Sequence, residues 1–141
     1  MELQVKPEER LGSLLWNAFN DVIDLQEKKL AAVGQLQIRH QWILTELYYQ
    51  PCTQTQLSEI CRLHINVVAR LLHYLLRRRL ITKHKVQREQ RISITPAGRR
   101  TMERLHLVCT AANDEICARL SAEQRAQLTG ILMLIDKRNG S

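Results

Sequence analysis

Apolar residues recur at three- and four-residue intervals from Leu11 through Leu14, Leu15, Ala18, Val22 and Leu25 toward Lys29, the spacing that lines one face of a helix. Gly34 is expected just past its end. A second helix follows through His40, Gln41, Trp42, Ile43 and Leu44 to Tyr49. Pro51 stops it, because proline lacks the amide donor and clashes with the preceding turn. Thr53 and Gln56 make a T-x-x-Q capping box that opens a short helix over Leu57, Ile60 and Cys61. The next helix is predicted from Val67 to Arg78, with Asn66 as its cap. It would bury Val68, Leu71, Leu72 and Leu75 and turn Arg70, His73, Tyr74 and Arg77 outward.

At Leu80 the period changes. Ile81 to Val86 and Arg91 to Ile94 alternate and are rich in β-branched residues, with Gln87, Arg88, Glu89 and Gln90 between them, which predicts a small hairpin. Thr95 as cap and Pro96 at the first helical position open a long helix carrying Met102, Leu105, Cys109, Ala112, Ile116 and Leu120. Ser121 and Gln124 repeat the capping box for a last helix with Leu128, Ile131, Leu132 and Ile135 on one face. The predicted order is α-α-α-α-β-β-α-α, a mainly α fold with a small β-hairpin. The first helix and the last two carry apolar stripes with too little of their own chain to pack against. A symmetric dimer with interleaved terminal helices is therefore expected, the alternative being that they fold back within one chain.

Composition sharpens this picture only in part. The 141 residues are 45% apolar and 25% charged, and five Gly and three Pro leave few tight turns, in keeping with a helical fold. No apolar run reaches the roughly 18 to 20 residues that cross a bilayer, and the N-terminus lacks a signal-peptide plan. A cytoplasmic protein that does not enter a membrane is expected, with Cys52, Cys61, Cys109 and Cys117 as reduced thiols.

Charge changes the picture more. Residues 60–104 hold twelve Lys/Arg against Glu89 and Glu103, a balance of +10; the rest has nine basic and twelve acidic residues, or −3, together the +7 of the chain. Such a gathering is the footprint of a polyanion partner, and double-stranded DNA is the first candidate. In a helix-turn-helix the start of the second helix reaches base edges, here His64, Asn66, Val67 and Arg70. Arg70 suits guanine, Asn66 suits adenine if it is not spent as the helix cap, and Val67 suits a thymine methyl. Arg77, Arg78 and Arg79, with Lys83, Lys85, Arg88 and Arg91 on the hairpin, would hold phosphates.

The chain resembles the MarR family of bacterial winged helix-turn-helix transcription regulators. The resemblance is carried by Gln41-Trp42-Ile43-Leu44-Thr45-Glu46-Leu47, Leu57-Ser58-Glu59, Val67-Val68-Ala69-Arg70-Leu71, Leu80-Ile81 and Ile94-Thr95-Pro96-Ala97-Gly98, in that order and spacing. It implies a DNA-binding domain over residues 37–95, with a helical dimerisation region over 9–36 and 96–139. It further implies a homodimer on a pseudo-palindromic operator, expected to repress until an effector or oxidant releases the DNA. Three departures stand out. Arg62 and Arg79 replace glycines usual after the first and second helices of the motif, where the backbone favours positive φ. The wing is about three residues short, its D-x-R motif is not recognisable, and either Arg88 or Arg91 is left as the minor-groove arginine with no aspartate to brace it.

The resemblance also implies an effector pocket between the dimer helices and the winged helix, for which Trp16, Phe19, His40, Trp42 and Tyr48 are candidate linings for a small aromatic acid. Cys52, just before a helix N-terminus, is the thiol whose pKa is expected to fall, and with Cys117 it is the candidate for redox sensing. Cys61 and His64 form a C-x-x-H pair without a second pair, so no metal is expected. No phosphate loop, nucleophile elbow or credible carboxylate pair is present, so neither catalysis nor a cofactor is expected. The competing readings are a winged-helix module for RNA or an acidic protein, and a thiol-based redox-responsive regulator.

Overall fold

The computed structural model describes residues 4–34 and 36–138. Gln35 and Asn139, inside the predicted dimerisation segments, lie outside the described residues. The elements follow the predicted order: α1 (Leu11–Val33), α2 (Ile38–Tyr49), α3 (Gln54–Cys61), α4 (Ile65–Arg77), β1 (Ile81–Val86), β2 (Glu89–Ile94), α5 (Pro96–Ile116) and α6 (Ala122–Ile135). Short 3-10 turns precede α1, at Pro7–Arg10, and follow α5, at Cys117–Arg119. Local signals set most ends. Thr53 and Gln56 exchange bonds at the start of α3, Thr95 accepts from the Gly98 amide at the start of α5, and Ser121 and Gln124 cap α6.

The core gathers where α2, α3 and α4 meet the hairpin: Ile43, Leu44, Leu57, Val68, Leu72, Leu75, Ile81 and Ile92 are all buried. β1 and β2 pair antiparallel, Ile81 opposite Ile94 and Val86 opposite Glu89. Cys52 adds a single β-bridge to the hairpin that was not predicted, its amide and carbonyl bonding Ile92 at 3.1 and 2.8 Å. The lower half of α1 packs on α5, where Gln26 donates to Asn113 at 3.2 Å and Lys29 pairs with Glu115 at 2.9 Å.

Four details depart from the sequence expectations. The cap of α4 is His64, whose Nδ1 accepts from the Asn66 amide at 3.1 Å, so Asn66 lies inside the helix. Tyr74 turns inward against the core rather than outward, and its hydroxyl is buried with no partner among the described residues. The hairpin tip is only Gln87 and Arg88, both at positive φ (52° and 70°). That is the geometry of a type I′ turn, and the sequence signal was missing because neither residue is Gly or Asn. Finally, α5 ends at Ile116 and not Leu120, so the apolar stripe breaks into two helices.

The first half of the predicted stripe of α1 is not covered by the chain itself: Leu11, Leu14, Leu15 and Ala18 are exposed, as are Trp16 and Phe19 beside them, whereas Val22 and Leu25 are half-buried. Ile23, Gln26 and Leu30 pack inward. Leu128, Ile131, Leu132, Met133, Leu134 and Ile135 of α6 are exposed as well. Among the described residues, no helix is long and apolar enough to cross a membrane.

Candidate nucleic-acid interface

The turn between α3 and α4 is held from both sides. Ser58 donates its hydroxyl to the Leu63 carbonyl at 2.6 Å, the Leu63 amide returns to the Ser58 carbonyl at 3.1 Å, and Gln54 reaches the Ile65 carbonyl at 3.3 Å. Arg62, between the helices, takes the left-handed conformation at φ 54°, ψ 44°. This backbone costs a non-glycine residue about 1 kcal/mol. The helices are thereby fixed with α4 seated through Val68, Leu71, Leu72 and Leu75.

What α4 presents outward is polar. Asn66, Arg70, His73 and Arg77 are exposed, and the Asn66 carboxamide has no partner among the described residues, since His64 has taken over the cap. His64 is exposed as well, but its Nδ1 is committed to that cap, and Val67 is half-buried against the core. Arg78 lies over the Tyr74 ring, 4.7 Å from its centroid. Lys83, Lys85 and Arg88 stand exposed on the hairpin beside this face.

Arg91 differs from its neighbours. Its guanidinium is 3.3 Å from the Glu89 carboxylate, and it sits in β2 opposite His84. Glu89, two residues ahead, supplies the brace for which no aspartate was found. The E-x-R spacing was visible in the sequence and went unread. Arg88 at the tip has no such restraint among the described residues.

The five aromatic and histidine candidates for an effector site do not line one cavity. His40 is 5% exposed, accepts from the Gln37 amide through Nδ1 at 2.9 Å and stacks on Tyr74. Burial foremost, and the charge of Arg78 next, lower its pKa to about 4. Tyr48 lies under Arg99, 4.8 Å from its ring centroid, with its hydroxyl 3.4 Å from Glu103. Trp16 is 66% exposed, while Phe19 and Trp42 share a cleft with Cys61 and Arg138. A larger cleft of about 670 Å³ opens elsewhere, between α1, the end of α4 and α5. Leu30, Leu36, Leu80, Leu105 and Val108 form its walls, and Thr101, Arg78 and Arg104 are its polar groups. Sequence reasoning missed it, although Thr101 and Arg104 sit at i, i+3 beside the apolar stripe of α5.

The thiols correct a second expectation. Cys52 is buried, donates to the Gln50 carbonyl at 3.5 Å, and has its pKa raised, not lowered, by burial first and the nearby Glu46 second. Burial likewise pushes Cys61 up to about 11 and raises Cys109. Cys117 is half-buried in the turn after α5. Among the described residues, no three His, Cys, Asp or Glu side chains converge as metal ligands.

No protein-family model matches the chain, and no curated protein matches its sequence. Solved structures match its fold over nearly the full length. A MarR-family transcriptional regulator from Rhodococcus superposes with a TM-score of 0.86 at 21% identity, over 94% of this chain and 96% of that one. BpsR of Bordetella bronchiseptica, whose DNA binding is regulated by 6-hydroxynicotinic acid, gives 0.82 at 17% identity over 96% and 100%. A MarR-family protein of Mycobacterium tuberculosis, solved in complex with DNA, gives 0.76 at 20% identity over 90% and 98%. The chain shares the winged-helix fold of these regulators.

Proposed function

We propose that this chain is a homodimeric, sequence-specific DNA-binding transcriptional regulator, acting inside the cell as a repressor. The observation that carries the reading is the outer face of α4: Asn66, Arg70, His73 and Arg77 clear of the core, on a helix buried along its opposite side and flanked by a basic hairpin. A helix of this kind fits the major groove, with Arg70 suited to guanine and Asn66 to adenine. Lys83 and Lys85 grip phosphates, and Arg91, braced by Glu89, is the arginine for the minor groove. Residues 37–95 are the DNA-binding unit. The exposed apolar residues of α1 and α6 belong to the dimer interface, because contiguous apolar faces of this extent mark association surfaces.

Release falls to a small aromatic acid in the junction cleft, whose volume is within the usual range for ligand sites and whose two arginines suit a carboxylate. The Bordetella neighbour's response to 6-hydroxynicotinic acid supports that ligand class. The test is fluorescence anisotropy on the duplex upstream of the chain's own gene, against a shuffled duplex, across a salt series. Two chains per site and a preference of about 10³ or more are expected. Equal, steeply salt-dependent binding to both duplexes would instead leave a charge-driven module for RNA or an acidic protein.

A further inference from the structure

We infer that Arg62 and Arg79 are phosphate-gripping residues, one at each end of α4, holding the two DNA backbones that border the major groove. The inference rests on the DNA-binding reading, in which Arg79 is already expected on a phosphate, and adds Arg62 and the placement of the two on opposite backbones. Both residues hold left-handed backbone, with φ of 54° and 59°, which glycine adopts freely and arginine does not. Among the described residues no glycine takes left-handed backbone, whereas Arg62, Arg79, Gln87 and Arg88 do, all within the basic block. Three of these four strained positions present a cation.

Both side chains are exposed, and neither forms an ion pair among the described residues. The acid near Arg62 is Asp136, and its carboxylate is already held by Arg138 at 3.0 Å. Among the described residues neither side chain is held by a hydrogen bond or ion pair, and Arg62 acts on Asp136 only at longer range. Their spacing suits DNA: α4 has thirteen residues, or about 20 Å of helix, and the major groove is about 12 Å wide. A helix of that length overhangs both rims when laid across the groove. Arginines set just beyond its two ends then meet opposite backbones, and their phosphate contacts add affinity without reading sequence.

The test pairs thermal unfolding with anisotropy titrations of the full chain on its upstream duplex, from about 50 to about 200 mM salt. The variants are Arg62→Gly, Arg79→Gly and the charge-keeping Arg62→Lys and Arg79→Lys. Each glycine variant is expected to raise Tm by about 2 to 4 °C while lowering the salt slope by about two per dimer, one phosphate per chain. The lysine variants keep the parent's slope. Glycine variants that bind with the parent's slope would overturn the inference, as would a fall in Tm together with affinity, which marks a structural role. A parent that shows no salt-dependent binding to either duplex removes the regulator reading itself, and this inference with it.

Discussion

The imidazole of His40, at the start of α2, stacks on the ring of Tyr74 in α4, with centroids 4.7 Å apart and planes tilted by 31°. Arg78, just past the end of α4, lies over the same tyrosine ring. A buried, neutral histidine therefore joins the element that leads into the helix-turn-helix to the end of its outward-facing helix.

This joint makes stability depend on pH. The pKa of His40 falls from 6.5 unfolded to about 4 folded, so between these values the unfolded chain binds more protons and stability rises with pH. Lowering the pH to about 5 should cost roughly 2 kcal/mol relative to neutral solution. Urea unfolding of the parent and of His40→Gln checks it: the variant's midpoint should be flatter across that window. Parallel curves would remove His40 as the source.

His64 and Asn66 should separate stability from binding. Losing the His64 side chain removes the cap of α4, so His64→Ala is expected to cost about 1 kcal/mol of stability. Asn66→Ala leaves the cap intact and should stay within about 0.5 kcal/mol of the parent in stability, while weakening binding to its site by about 1 to 3 kcal/mol. Denaturant melts and anisotropy on the same preparations distinguish the two roles. The reverse pattern would return the capping role to Asn66.

Much of what is decided within a few residues was legible in the chain. The capping boxes at Thr53 and Ser121, Pro51 and the Thr95-Pro96 start all appear where the sequence places them. Misreadings arose where a residue has two roles or a distant partner. Asn66 and His64 compete for one cap, and a capping propensity alone cannot rank them. The positive φ at Gln87 and Arg88 is imposed by strand pairing and leaves no glycine as a mark. The Cys52 environment is made by Ile92, far along the chain, and the junction cleft is made by three elements meeting. Neither of these last two has a local pattern.

Cys52 illustrates the consequence for chemistry. Buried and with its thiol pushed up, it should react with iodoacetamide at pH ~8 at least about tenfold more slowly in the native chain than in the unfolded one. Mass spectrometry of peptides after timed labelling reads this directly. Rapid native labelling of Cys52 would revive the redox reading that its burial now opposes.

Arg70 and Lys83 should differ in kind. Arg70→Ala is expected to cost about 1 to 3 kcal/mol at one base pair and to relax specificity there. Lys83→Ala should weaken every duplex alike and lower the salt slope by about one per chain. Competition against single-base variants of the site, repeated across salt, separates them. An Arg70→Ala protein that binds site and random duplex like the parent would displace α4 as the reading helix.

Gly98 locks α5 to the hairpin. Its amide donates to Thr95 Oγ1 at 3.0 Å, the Thr95 hydroxyl donates to the Arg79 carbonyl at 2.8 Å, and the Thr95 amide reaches the Leu80 carbonyl at 3.0 Å. A methyl group at Gly98 would overlap that Leu80 oxygen and come within 2.7 Å of the Ile94 side chain. Alanine favours an exposed helix interior over glycine by about 1 kcal/mol, but a backbone oxygen cannot rotate aside, so α5 must move off the hairpin. Gly98→Ala should therefore lose about 1 to 3 kcal/mol net in denaturant unfolding. It should also weaken DNA binding, because the hairpin and the end of α4 both hang on this contact. A variant more stable than the parent would mean that helix propensity outweighs the overlap, and that the junction between α5 and the wing is loose.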